Sequence, residues 1–158
     1  MLRNMAQPSL KEFTIALAHP TQAEELTDIS IAAKSYWQYP DEWLAQWKED
    51  LTITAEYIKQ HRVCLLQGPD RIVGFCAVEQ HPTHEEVAHL WLRPAFMRRG
   101  LGKRLLHHTL SVVSPGREVR VIADPHAESF YQKQGFATYE QVASMPPGRW
   151  LPRMRKRG

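Results

Sequence analysis

The sequence predicts a mixed α/β domain: a mostly antiparallel sheet flanked by helices. Three observations carry that reading. Gly68-Pro69-Asp70 separates two apolar runs of strand length, "RVCLLQ" and "RIVGFCAVEQ", which is a hairpin signal. A third run, "EEVAHLWL", follows before Pro94, so the front of the sheet reads as an antiparallel meander. Beyond it strand and helix patterns alternate, which implies parallel pairing late in the chain.

In chain order, residues 1–12 read as a flexible arm and residues 13–158 as a single domain. A chain of 158 residues can bury about two thirds of its unfolded surface around one core. "FTIALA" (13–18) is the first strand. In "PTQAEELTDISIAAKSYW", Thr21 and Glu24 have capping-box spacing, and Leu26, Ile29, Ala33 and Trp37 share a helical face. A second helix fits "PDEWLAQWKEDL", and "TAEYIKQ" makes a third with Thr54 as its cap. After the meander come the cationic loop "RPAFMRRG" and a helix from about Gly102 to Val113. The strand "REVRVIA", the helix "PHAESFYQKQ" stopped by Gly135, and the strand "FATYEQVA" follow. The closing "SMPPGRWLPRM" begins as a loop and ends as a strand extending the sheet.

Composition narrows function as well as fold. With 43% hydrophobic and 23% charged residues, the chain resembles an ordinary globular protein. Its net charge of +3 is concentrated in "RPAFMRRGLGKR" and "RWLPRMRKRG", and charge gathered at a site suggests an anionic ligand. Cys64 and Cys76 lie in apolar strand-like runs without a C-x-x-C partner and read as reduced core thiols of a cytoplasmic protein. The start lacks the apolar run of a signal peptide, and no segment has the length of a membrane span, so no membrane partner is expected.

The segment "AHLWL", "RPAFMRRG", "LGKRLLHHTL" puts the amides of residues 98–103 at a helix start after a strand. The macrodipole there favours an anion, and Gly100 and Gly102 let the backbone approach it. A Walker A loop fails on spacing, because Met97 and Arg104 occupy the places of its first glycine and its Ser or Thr. A dinucleotide fingerprint fails because residue 105 is Leu.

"LRPAFMRRGLGKRLL" and "ADPHAESFYQKQGF" together resemble the two main motifs of the GCN5-related N-acetyltransferase (GNAT) superfamily. The first looks like its acetyl-coenzyme A loop, Gln/Arg-x-x-Gly-x-Gly/Ala. The second is similar to its Asn-x-x-Ala-x-x-Phe-Tyr-x-x-x-Gly-Phe element. The resemblance spans about residues 13 to 142, and "AAKSYWQYPDEWLAQWKEDLTITAEYI", "HLWLRP" and "PPGRWLPRM" resemble segments of a group of small bacterial members. It implies a GNAT-like mixed sheet, splayed at the acetyl-CoA site, and acetyl-CoA as cosubstrate. Two positions depart from the pattern: Met97 replaces Gln or Arg, and Asp124 replaces Asn, so a group that only accepts hydrogen bonds stands where one could also donate.

By the same resemblance, the pyrophosphate is held by amides of Arg98, Arg99, Gly100, Leu101, Gly102 and Lys103, with side-chain charge added by Arg98, Arg99, Lys103 and Arg104. Leu90, Trp91 and Leu92 pair with the pantetheine arm, and Asp124 occupies a cofactor-contact position. Tyr131 matches the tyrosine near the thioester sulfur and is the candidate general acid. Acetylating an amine also needs proton removal, since a free lysine-like amine has a pKa of about 10.4. Glu86 matches a strand position where several relatives carry a glutamate base. His89 is the second candidate and Glu79 the third. Strict alternation puts Glu86 and His89 on opposite faces, unless a bulge exchanges them.

Tyr36, Trp37, Tyr39, Trp43 and Trp47 form either core or a wall that desolvates an amine or holds a cation. "HPTHEE" reads as a solvated turn rather than a metal site, having no regular ligand spacing. No cysteine suits ping-pong chemistry. The leading expectation is therefore direct acetyl transfer to a primary amine of a small molecule, peptide or protein. A non-catalytic acyl-CoA sensor is the rival. A nucleic-acid module is disfavoured, because no helix aligns basic and base-reading residues. The C-terminal segment shapes either the acceptor pocket or a homodimer contact.

Overall fold

The computed structural model describes residues 12–157; apart from Glu12, the expected N-terminal arm lies outside the described residues. Seven strands form one sheet in the order β1-β2-β3-β4-β5-β7-β6. Strands β1 (Thr14–Leu17), β2 (Arg62–Gln67), β3 (Ile72–Gln80) and β4 (His84–Leu92) make the antiparallel meander. A backbone bond from Gly68 N to Arg71 O closes the predicted hairpin between β2 and β3.

Among the described residues, parallel pairing is confined to one place, between β4 and β5 (Glu118–Ile122). The broader parallel half expected from the late alternation is absent because β6 (Ala137–Ser144) pairs with β7 (Arg149–Arg157) as a hairpin, and β7 then lies antiparallel to β5. The C-terminal strand thus extends the sheet from within, between β5 and β6.

Both faces of the sheet are covered. Cys64 and Leu66 of β2 join a core with Leu101, Leu105 and Leu106 of α5 (Leu101–Leu110) and Tyr131 of α6 (Glu128–Lys133). Val63 and Leu65 face the other way, onto Leu26 and Ile29 of α1 (Ala23–Ser35) and Ile58 of α4 (Ala55–Gln60). Burial on both sides explains why β2 and β3 read as nearly continuous apolar runs. Among the described residues, no helix is long and apolar enough to cross a membrane.

Helix boundaries correct the sequence reading in three places. A 3₁₀ turn, Pro20–Gln22, precedes α1, and the capping box is formed by His19 and Gln22 rather than Thr21 and Glu24. Helix α1 ends at Ser35, and Gln38 has a positive φ of 57°, so Trp37 leaves the helical face. The second predicted helix splits at Trp47 into α2 (Asp41–Gln46) and α3 (Lys48–Leu51), while the indole of Trp47 donates to Met145 O at 2.9 Å. Thr54 caps α4 as predicted, accepting from Tyr57 N at 3.0 Å.

Candidate active site

Strands β4 and β5 part company midway. Their register runs from His84 opposite Glu118 to Val87 opposite Val121 and then stops. A β-bulge at Ala88, where Ala77 faces His89 but Val78 faces Val87, turns the chain at that point. Strand β5 continues with β7, and Ala123 N donates to Pro152 O at 3.0 Å. Backbone of residues 88–92 on the side once facing β5 is therefore released from the ladder, and a gap opens between the two strands.

The bulge also decides which side chains share a face. Val87 and Leu90 both enter the core under α5, whereas Trp91 packs with Phe75 and Ala77 on the α1 face. His89 lies opposite Ala77 and its ring meets Phe75 and Tyr57. Glu86 lies opposite Glu79, whose Oε2 accepts the Tyr57 hydroxyl at 2.7 Å. Glu79, Glu86 and His89 accordingly occupy one face. Strict alternation would have separated Glu86 from His89, and the extra residue at Ala88 is the reason it does not.

Beside the gap, α5 begins without a side-chain cap, so its first-turn amides remain available to a ligand. Gly100 precedes them with φ 77°, a left-handed conformation that β-carbons disfavour, and a Cβ placed there would meet nothing within 4 Å. Its open side faces outward. Gly102 differs: a Cβ there would meet Leu92 and Phe130 at 3.6 and 3.8 Å, ordinary contact distances, so the packing of α5 leaves room for a methyl group at that position. Arg98 adopts a positive φ of 63°, and the Arg99 guanidinium lies 5.4 Å from the Phe96 ring centre. Leu101 is fully buried, while Lys103 is exposed.

Tyr131 is 5% exposed, edge-on to Phe130 and Phe136. Burial raises its phenol pKa well above the ordinary value, with the nearby Cys76 adding to the effect, so the group stays protonated and able to donate. His89 is shifted down to about 4, chiefly by burial, and its Nδ1 already accepts from Trp91 Nε1 at 3.0 Å. Both properties weaken it as a proton acceptor at neutral pH. Cys76 is pushed up to about 12 by burial, and both Cys64 and Cys76 are buried free thiols.

At the end of β5, Asp124 is surrounded by donors from the chain itself. It accepts from Lys34 Nζ at 2.5 Å, from Tyr39 Oη at 2.9 and 3.0 Å, from Arg149 Nη2 at 3.3 Å and from His126 N at 2.9 Å. Burial alone would raise its pKa, but the Lys34 hydrogen bond and charge, helped by the His126 amide and Tyr39, hold it below the usual value. Lys34 is pulled down by burial, against the opposing pull of Asp124. Its ammonium sits 4.6 Å from the Trp47 ring centre and 5.9 Å from that of Trp91; Arg149 lies 4.5 Å from Trp47. The aromatic cluster thus holds cations over ring faces, and the cations are the chain's own. Tyr39, Trp43 and Trp47 pack together there, while Trp37 stacks on His126 at 4.2 Å and Tyr36 is largely exposed.

Sequence reasoning passed over Lys34 and Arg149. Lys34 did carry a signal: it lies four residues after Ser30 and eight after Leu26, on the buried stripe of α1, where a lysine needs a partner. Arg149 had no local signal, since only the β6–β7 hairpin brings it to Asp124.

Comparison with known proteins agrees with this geometry. The family model for the acetyltransferase (GNAT) domain matches residues 25–157. Among solved structures, the chain is similar to the PaiA N-acetyltransferase of Thermoplasma acidophilum in complex with coenzyme A: TM-score 0.75, 18% identity, 92% of this chain and 99% of that one covered. It is also similar to a GCN5-related N-acetyltransferase of Rhodopseudomonas palustris, with TM-score 0.76 and 18% identity over 96% and 99% of the two chains. A histone acetyltransferase HPA2-related protein of Corynebacterium glutamicum aligns with TM-score 0.70 and 17% identity over 92% and 96%. No curated protein sequence matches. That match runs over most of the chain, from α1 to the end of β7, and this chain belongs to the acetyltransferase (GNAT) domain family.

Proposed function

We propose that the protein transfers the acetyl group of acetyl-CoA to a primary amine on a small molecule or peptide, by direct attack within a ternary complex. Acetyl-CoA, the cosubstrate of the family, supplies an acyl thioester. One observation carries the reading: the gap between β4 and β5 opens beside the uncapped first turn of α5. Released backbone at Leu90, Trp91 and Leu92 suits an amide-bearing arm, and the amides of Arg98 through Lys103 suit its phosphates, with Arg98, Arg99 and Lys103 adding charge.

The chain's own groups divide the proton work. Glu86, with Glu79 opposite, is the better proton acceptor, because His89 is neutral and its Nδ1 is occupied. Tyr131 remains protonated and able to donate to a leaving thiolate. Both cysteines are buried and Cys76 resists ionisation, which supports direct attack over an acyl-cysteine intermediate. The Lys34, Arg149 and aromatic cluster borders the same gap and supports a role in shaping the acceptor side.

The test is a panel of primary amines, from polyamines to peptides with free amino termini, assayed for coenzyme A release. Acetyl-CoA-dependent release with at least one amine, absent without it, supports the proposal. A protein that binds acetyl-CoA but acetylates no amine would instead be a sensor.

A further inference from the structure

The turn between β3 and β4 gathers ligand atoms around Glu86, the residue proposed above as proton acceptor. One ligand atom from each of His81, His84 and Glu86 lies within 4.8 Å of the others. Glu79 joins them: His81 Nε2 is 3.4 Å from Glu86 Oε2 and 3.6 Å from Glu79 Oε1. A tetrahedral zinc site with bonds of about 2.0–2.2 Å has ligand-to-ligand edges of about 3.3–3.6 Å. The two edges from His81, to Glu86 and to Glu79, already have that length, and the His84 atom lies within 4.8 Å of those of His81 and Glu86.

Three further features point to a cation. His81 Nε2 is buried and makes no hydrogen bond, although its ring is partly exposed. Glu79 and Glu86 face each other directly across the strands, an arrangement that costs stability between like charges. The surroundings hold the ligands in place. The Tyr57 hydroxyl occupies Glu79 Oε2 at 2.7 Å, leaving Oε1 toward His81, and Thr83 Oγ1 bonds His84 Nδ1 at 3.0 Å, leaving Nε2. The turn is closed by His81 N to His84 O at 2.9 Å, and Arg117 donates to the carbonyls of both histidines. Arg120, the cation opposite Glu86 on β5, is engaged by Glu118 at 2.6 Å.

We infer that His81, His84, Glu86 and Glu79 bind a divalent transition-metal ion of the zinc class. Two imidazoles and two carboxylates suit zinc, cobalt or nickel better than magnesium or calcium, which prefer all-oxygen sites. Three of these residues lie within "HPTHEE", and Glu79 stands two residues before it, across the strand pair from Glu86. A bound ion would engage the Glu86 carboxylate, so metal occupancy and proton acceptance exclude each other at that residue.

The site is read without any acyl donor or acceptor. Titration of the full chain with Zn2+ by calorimetry should show one ion per chain, and Co2+ should give the visible absorption of a four-coordinate centre. His81→Ala and His84→Ala should each weaken Zn2+ binding at least tenfold, while a His107→Ala, His108→Ala control on α5 should leave it unchanged. Binding at no defined stoichiometry, a six-coordinate Co2+ spectrum in the intact protein, or equal affinity in the His81 and His84 variants would overturn the inference. The stoichiometry and spectrum of the unmutated chain decide the matter even if a variant folds poorly.

Discussion

Lys34 on α1 donates to Asp124 beyond the end of β5 at 2.5 Å, and with Trp91 of β4 5.9 Å from its ammonium it spans the mouth of the gap between the two strands. Both side chains are nearly buried, at 10% and 11% exposure, and Arg149 makes the same carboxylate the centre of three charges. This unequal arrangement gives the first prediction. Asp124→Ala leaves Lys34 and Arg149 as neighbouring buried cations and should cost about 3–5 kcal/mol. Lys34→Met leaves Asp124 paired with Arg149 and should cost less, about 1–3 kcal/mol. Denaturant unfolding of both variants checks the order.

The loop before α5 gives a second pair. Gly100→Ala forces a side chain into a left-handed conformation and fills the open side of the loop, so it should raise the KM for acetyl-CoA about tenfold or more. Gly102→Ala, whose added methyl meets Leu92 and Phe130 at ordinary contact distance, should change it by less than about threefold. Initial rates against acetyl-CoA concentration separate the two.

Tyr131→Phe removes a hydroxyl from a site already 5% exposed and leaves the ring packing with Phe130 and Phe136. If the hydroxyl assists thiolate departure, kcat should fall about 10²-fold with little change in acetyl-CoA binding. Steady-state kinetics with the best amine from the panel, and calorimetry with coenzyme A, report the two quantities separately.

His89 makes stability depend on pH. Its folded pKa, about 4, lies below the unfolded value near 6.5, so the unfolded chain binds the extra proton first as pH falls. Stability is therefore full above about 6.5 and declines toward pH 4, by about 3 kcal/mol at most. His84 shifts in the same direction. Unfolding free energies measured between pH 7 and 4 should slope downward, and His89→Gln should flatten part of that slope.

Much of the architecture was legible in the sequence because it rests on local patterns. Gly68-Pro69-Asp70 marks a hairpin, Thr54 caps a helix, and Gly135, at φ 93°, ends α6. The glycine loop was legible for the same reason. What stayed hidden depends on how distant strands meet. The bulge at Ala88 sets Glu86 and His89 on one face, and no residue type announces it. The insertion of β7 between β5 and β6 brings Arg149 to Asp124, and strand pairing sets Glu79 opposite Glu86. Each is a product of register, which neighbours in sequence do not report.

Acetyl-CoA is proposed to enter the gap between β4 and β5, against the start of α5. The most direct measurement is thermal unfolding with and without acetyl-CoA. At about 100 times the Kd, binding adds about 2.7 kcal/mol, which for a chain of this size raises Tm by about 5–10 °C. That rise is expected in the unmutated protein, and a smaller one at the same concentration in Gly100→Ala. An unchanged Tm at millimolar acetyl-CoA would contradict it.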